Sequence, residues 1–263
     1  MGPSIIDVNR LSISLGGRRI LQDVTLSVGV GDYVSIVGEN GAGKTTLLKC
    51  IIRIHKGGTG SIAVDGVPIS SYRQNELAKV VSYVPQAGGR SIHAFSVHEF
   101  VMMGRYPYLS PFSPPTHVDS EAVKDAMSVT GTADLASRSL GTLSGGERQK
   151  VFVAAAIAQE ARVLLLDEPT TFLDPRHQAE IHTLLGHLNK NHGVTVVSVT
   201  HDINSAALTS QQVIALKRGA VVFDGTSEDF MSESVLQDTY GKTFSFLAHP
   251  QTGQRIVAPE APR

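Results

Sequence analysis

The sequence holds one cysteine, Cys50, so no internal disulfide can form. Cys50 follows a glycine-rich loop on an apolar helical stripe, where it reads as a small core residue rather than a reactive thiol. Neither sign of charge dominates: 24 acidic residues stand against 23 basic ones, net −1, which removes the field a nucleic-acid-binding chain relies on. Nucleic acid is therefore not an expected partner. With 41% hydrophobic and 18% charged residues the chain is not a disordered one either. Long hydrophobic runs are missing too, since the most apolar stretch, Val151 to Leu166, is broken by Gln159, Glu160 and Arg162. Met1 to Arg10 has no basic segment followed by an apolar core, so the chain is expected neither to span a membrane nor to be exported, and a reducing compartment fits. Internal repeats and low-complexity tracts are absent, and histidines such as His93, His98 and His117 show no metal-ligand spacing and read as surface residues. The 263 residues suffice for one large domain, or for a core with an inserted subdomain, without staples.

What the chain does have is Gly38-Glu39-Asn40-Gly41-Ala42-Gly43-Lys44-Thr45, in which Gly38 and Gly43 enclose four residues and are followed by Lys and Thr. The β-rich run Tyr33 to Val37 precedes it, and Thr46, Leu47, Leu48, Cys50 and Ile51 follow at helical spacing, so the motif lies at a strand-to-helix turn. Glycines let several N–H groups point inward, and the positive end of the helix reinforces them against a phosphate. Lys44 is expected to reach the β- and γ-phosphates and Thr45 to ligate Mg²⁺.

Three β-rich runs, Ile5 to Leu15, Ile20 to Val28 and Tyr33 to Val37, predict a sheet leading into this loop, and Ser61 to Val67 and Val80 to Val84 read as further strands. The second ends at Pro85-Gln86, which puts Gln86 where a strand gives way to a loop. From Phe95 to about Ala158 the pattern is helical, with Ala122, Val123, Ala126 and Met127 on one face that stops at Gly131. This predicts an inserted helical subdomain, about 91–159, in a core of about 1–90 and 160–263. The run from Arg105 to Pro115 fits neither helix nor regular strand and carries three aromatics, so a partner is expected to dock there. Val163 to Leu166 reads as a central strand buried on both faces and ends in Asp167-Glu168. Asp174-Pro175 opens a helix that Gly193 closes, and Val194 to Val199 delivers Thr200-His201-Asp202. Beyond Gly225 only Val235 to Tyr240 has an amphipathic pattern, and Pro259 to Arg263 is expected to be loosely held. Strands alternating with helices predict an α/β chain, a mainly parallel sheet with chemistry at its strand ends.

A phosphate loop paired with an apolar strand ending in Asp is common in nucleotide hydrolases, where the Asp helps hold Mg²⁺; Asp167 fits that part. Glu168 is placed to take a proton from attacking water, although a turn carboxylate would look the same. Ser144-Gly145-Gly146-Glu147 forms a capping box opening the helix Arg148 to Gln159. Its two glycines cost that helix about 1 kcal/mol each relative to Ala, so something is expected to approach the backbone closely, and a phosphate is the natural candidate.

With these residues in order, the chain resembles the nucleotide-binding subunit of an ABC transporter over nearly its whole length: Gly38 to Thr45 as the Walker A loop, Gln86 as the Q-loop, Leu143 to Glu147 as the signature, Val163 to Asp167 as Walker B, Glu168 as the base, Leu173-Asp174 as the D-loop and His201 as the switch. The resemblance implies a P-loop, RecA-like core with an N-terminal antiparallel β region and an inserted helical subdomain, and ATP and Mg²⁺ as cofactors. Lys44, Glu168 and His201 would be catalytic. The nucleotide would be held by Gly38, Glu39, Asn40, Gly41, Ala42, Gly43, Lys44, Thr45 and Thr46, with Gln86, Ser144, Gly145, Gly146 and Asp174, and the metal by Thr45, Gln86 and Asp167. It further implies a head-to-tail homodimer in which the signature serves the partner's ATP, permease subunits in the membrane, an indirect link to a periplasmic or lipoprotein substrate-binding protein, and a peripheral place on the cytoplasmic side of the cell membrane.

Glu168-Pro169-Thr170-Thr171-Phe172-Leu173-Asp174, Gly104-Arg105-Tyr106-Pro107 and Thr200-His201-Asp202-Ile203-Asn204 are similar to subunits serving importers of ferric siderophores, haem or cobalamin. The sequence departs from the pattern at Leu15, where the family commonly places an aromatic ring against adenine. Another class of reading is an ABC-type ATPase acting as an assembly factor, for example in iron–sulfur cluster biogenesis. A P-loop kinase or GTPase would not need the 143–147 motif, and no Asn-Lys-x-Asp run for guanine is present. The apolar residues Met102, Met103, Tyr106, Tyr108, Leu109 and Phe112 are expected to form, with Gln86, a groove for a helix of the membrane subunit.

Overall fold

A computed structural model describes residues 3–86, 94–110 and 113–258. His93, Phe112 and the tail Pro259 to Arg263 lie outside the described residues. The chain begins with the long strands β1 (Ser4–Leu15) and β2 (Arg18–Gly29), then β3 (Tyr33–Val37) and α1 (Lys44–Ile51). β4 (Thr59–Val64), β5 (Val67–Pro68), α2 (Gln74–Val80) and β6 (Val81–Val84) follow. Three helices come next, α3 (Val97–Met102), α4 (His117–Val129) and α5 (Gly145–Ala158). Strands and helices then alternate through β7 (Val163–Asp167), α6 (Pro175–His192), β8 (Thr195–Val199), α7 (Ile203–Thr209) and β9 (Gln212–Lys217). The chain closes with β10 (Ala220–Thr226), α8 (Ser227–Phe230), α9 (Glu233–Tyr240), β11 (Ser245–Ala248) and β12 (Arg255–Ala258).

Two compact units result, one running to Ser71 and resuming at Thr195, the other spanning Tyr72–Val194. In the first, β2, β1, β4 and β5 form an antiparallel sheet. A second sheet pairs β3 in parallel with both β8 and β9, and β10 runs antiparallel on β9. β3 and β8 are buried at every residue, which explains their continuous apolar runs: both faces are covered, so nothing alternates. In the second unit β6 and β7 pair in parallel. There α3, α4 and α5 share a core that includes Val97, Val101, Val123, Met127 and Val151. The inserted subdomain proposed from sequence falls inside this unit.

Three local expectations need correction. The strand anticipated over Ser61 to Val67 is split, because Asp65 and Gly66 adopt φ of 51° and 72° and turn the chain into the β4–β5 hairpin. The signature helix starts at Gly145, not Arg148, since the Ser144–Glu147 capping box outweighs the low propensity of the two glycines. The segment after Tyr240 is a hairpin, β11 on β12, with Phe246 opposite Val257. Its four-residue strands are too short to show a period, and only Phe246 and Val257 turn to the core.

Candidate active site

The phosphate loop joins β3 to α1 in a shape only glycine permits at two points. A Cβ on Gly38, φ 137°, would come within 2.1 Å of the Leu216 carbonyl oxygen, and one on Gly43, φ 104°, within 2.7 Å of Leu21 Cδ2. Lys44 is 6% exposed, and its Nζ donates to the carbonyls of Gly38 at 2.7 Å and Glu39 at 3.0 Å, so the loop wraps its own ammonium. α1 has no capping side chain and no acid in its first turn, whereas Thr116, Ser144 and Asp174 cap α4, α5 and α6. First-turn N–H groups without a side-chain cap and a buried ammonium make a donor set that fits phosphate. A hydroxyl such as that of Thr45 is an oxygen donor of the kind Mg²⁺ prefers. In the same unit His201 is exposed and follows Thr200, whose N–H donates to Ile36 O at 3.1 Å.

Leu15 ends β1, half-buried and in register with Arg18. At the place expected for an adenine-stacking ring it offers an aliphatic side chain. Leu15→Tyr is expected to tighten ATP binding roughly two- to tenfold, the gain of about 0.5–1.5 kcal/mol that aromatic pairing adds beyond area. Titration calorimetry of parent and variant checks it; equal affinities mean another residue packs on the base.

In the second unit β7 delivers Asp167, 3% exposed, whose carboxylate accepts from the Tyr83 hydroxyl at 3.1 Å. Burial and the Asp167 charge push the Tyr83 phenol above its ordinary range. Glu168 adopts φ 51°, the left-handed region, and its Oε2 accepts from Gln86 Nε2 and from Thr171 Oγ1, each at 3.0 Å. Phe172 is also left-handed, φ 66°, and 88% exposed. Two strained non-glycine residues in one turn cost about 1–3 kcal/mol each and mark segments held for function. Gln86 and Glu168 are thus brought together. Tyr83 and Thr171 were missed by sequence reasoning; the one signal was their polar tips, since a buried Tyr hydroxyl seeks a partner.

Ser144 caps α5 as read: Glu147 N–H donates to its hydroxyl at 3.2 Å, and Glu147 Oε2 accepts from the Ser144 N–H at 2.8 Å. The two glycines differ, however. A Cβ on Gly146 would meet the His177 ring at 2.0 Å, so packing alone demands that glycine, while one on Gly145 meets only Leu173 Cδ2 at 3.5 Å. His177, another residue missed from sequence, is oriented by Asp174: its N–H donates to Oδ1 at 3.1 Å and its Nδ1 lies 2.6 Å from Oδ2. These bonds, the backbone one first, hold the Asp174 carboxyl below its usual range. The D-loop and the signature helix therefore meet through one imidazole.

The run after α3 divides between two tasks. Arg105, 2% exposed, donates to Asp119 at 3.0 Å, to Glu160 at 2.5 Å and to Ala158 O at 2.7 Å, and stacks on Tyr108 at 4.1 Å. Tyr108 gives its hydroxyl to Gln159 O at 3.1 Å. An apolar groove of about 350 Å³ lies next to this network, lined by Tyr83, Gln86, Phe100, Met103, Phe152 and Ala155 among others. Met103 and Gln86 line it as expected; Met102, packed against the helical core, and Tyr106, Tyr108 and Leu109 do not.

The sequence pattern of the ABC transporter family matches residues 21–171. The chain is 37% identical, over 95% of its length and 93% of the relative's, to the iron(3+)-hydroxamate import ATP-binding protein FhuC of Bacillus subtilis (strain 168). It is also 37% identical, over 95% and 88%, to the hemin import ATP-binding protein HmuV of Streptomyces coelicolor. Among solved structures, an ABC transporter in an inward-facing conformation superposes with a TM-score of 0.85 at 26% identity, covering 98% of this chain and 99% of that one. The dimeric ATP-binding cassette MJ0796 bound to ADP and Pi gives 0.70 at 26%, covering 85% and 99%.

Proposed function

The chain belongs to the ABC transporter family as an ATP-hydrolysing subunit of an importer, and we propose that the cargo it powers is a ferric siderophore, haem or cobalamin. Permease subunits are its partners and ATP with Mg²⁺ its cofactors. No helix among the described residues is long and apolar enough to cross a membrane. Our reading places it on the cytoplasmic face, bound to the permease. The assembly-factor alternative is not favoured, because the relatives matched along nearly the whole chain are named for import.

In the proposed mechanism Gly38 to Thr46 would wrap the phosphates, with Lys44 leaving its carbonyl contacts to reach the β- and γ-phosphates, and Thr45, Gln86 and Asp167 would hold Mg²⁺. The ion would supply neutralisation of the phosphate charge. Glu168 takes the proton of the attacking water, and Gln86 and Thr171, both donating to Oε2, orient the carboxylate for it. His201 contacts the γ-phosphate. Ser144 and Gly145 serve the nucleotide of a second copy, with Gly146 and Asp174 held beside them through His177.

The observation that carries this reading is Gln86, whose amide bonds to the proposed base while the same residue lines the apolar groove. A short helix of the permease seated in that groove would feel any movement of Gln86 on nucleotide binding. Met103→Asp puts a charge on the groove wall away from the Glu168 contacts. It is expected to abolish assembly with the permease and cargo uptake, with ATP turnover of the free chain within about twofold of the parent, as for a surface change outside the site. Co-purification and uptake assays check it; normal uptake at normal protein level puts the docking surface elsewhere.

A further inference from the structure

The C-terminal hairpin is fastened to the helix that follows His201. Asn204, in the first turn of α7, donates from Nδ2 to Val257 O at 3.0 Å and accepts from Val257 N at 2.8 Å through Oδ1. A side-chain amide has the donor and acceptor of a peptide group, so Asn204 pairs with β12 as one residue of a neighbouring strand would. Three residues earlier lies His201, between two fixed points. Thr200 is tied to β3 through Ile36 O, and Asp202, whose N–H donates to Thr200 Oγ1 at 3.1 Å, caps α7 by accepting from Ser205 N at 3.0 Å. α7 is seven residues long, so whatever holds its first turn sets where His201 stands.

The hairpin needs that attachment. Two four-residue strands are not stable alone, and a cavity of about 880 Å³ lies between its turn and the helices, lined by Ala207, Phe223, Val235, Thr252 and Arg255 among others. Its seat is the pair at Asn204, the apolar contacts of Phe246 and Val257, and the bond from Arg255 to Met231 O at 3.4 Å. The preceding helix, α9, packs against β9. The Tyr240 hydroxyl is buried without a hydrogen-bond partner. Lys217 holds α9 through Asp238 O, and the carbonyl of the adjacent Leu216 closes on Gly38.

We propose that the C-terminal hairpin is a strap that fixes the switch histidine, with Asn204 as the positioning residue that joins it to α7. This rests on His201 contacting the γ-phosphate, as proposed above. Asn204 touches no reacting atom; it acts by denying α7 the freedom to carry His201 out of place.

Steady-state kinetics of MgATP hydrolysis by the full chain tests it, with hydrogen exchange of residues 245–258 read on the same samples. Asn204→Ala is expected to speed exchange in the hairpin and to lower kcat about tenfold with KM within about twofold, the pattern of lost positioning rather than lost binding. Val257→Pro removes the N–H from the other side and leaves α7 unchanged in sequence; it is expected to do the same, and decides the matter if Asn204→Ala does not fold. A loosened hairpin with parental kcat overturns the proposal, as does an unchanged hairpin. Equal falls in kcat and melting temperature, with KM raised, would show general destabilisation and also overturn it. His201→Ala separates the two readings: if it is inactive while the Asn204 and Val257 variants are parental, the strap alone fails; if it turns over normally, the role of His201 fails and the strap with it.

Discussion

Glu168→Gln hydrolyses ATP about 10²–10⁴-fold more slowly than the parent chain, the contribution of a positioned general base, and binds MgATP with unchanged affinity. The amide keeps the size of the carboxylate and retains an oxygen for the Gln86 and Thr171 donors that now converge on Oε2, so the turn after β7 keeps its strained shape. What it loses is the negative charge and basicity that let a carboxylate take the water's proton. Single-turnover hydrolysis alongside equilibrium nucleotide binding checks both halves. Parental turnover with bound MgATP removes Glu168 from the role of base; loss of binding shows that the carboxylate instead supports the site.

Lys44→Ala and Gly145→Asp chains, each unable to form a complete site with itself, recover ATP binding when mixed. In a head-to-tail dimer every site takes a phosphate loop from one copy and a signature from the other, so a mixed dimer has one intact site and one with both halves damaged. With random pairing half the dimers are mixed, and about a quarter of the sites return. Gly145 is the better signature position to alter, because a side chain at Gly146 would first strike His177 and disturb the D-loop of its own chain. Gly145 has room beyond Leu173, so an aspartate there meets the incoming phosphate rather than the fold. Filter binding with labelled ATP, with mixed dimers verified by differential tagging, reads the result. Mixed dimers that bind no more than either parent variant show that the sites are not shared.

Local chemistry was readable in the sequence, and contacts between distant segments were not. The phosphate loop is a strand, a glycine-rich turn and a helix start within about a dozen residues, so its residues announce both shape and charge. Asp167 could be found because β7 is buried on both faces and ends in a carboxylate that no core strand tolerates without a purpose. Tyr83 on Asp167 and Asn204 on Val257 span 84 and 53 residues, and neither side chain carries a local sign of its partner. Gly146 shows how a correct residue can have a second cause. Its missing side chain suggested a phosphate alone, whereas the packing of His177 already requires it. The aromatic run after α3 likewise offered one surface in sequence, and the fold assigns Met103 to the groove and Tyr108 to the Arg105 network.

Uptake is the most direct test. In cells lacking the native gene, accumulation of radiolabelled iron from a hydroxamate siderophore, a catecholate siderophore and haem, and of labelled cobalamin, is measured with the parent chain or Glu168→Gln restored at equal protein level. Loss of uptake of one of these cargoes on deletion, its return with the parent chain and its absence with Glu168→Gln is the result predicted for an ATPase that powers import. Uptake of all four at the normal rate without the gene, or full restoration by Glu168→Gln, would contradict it.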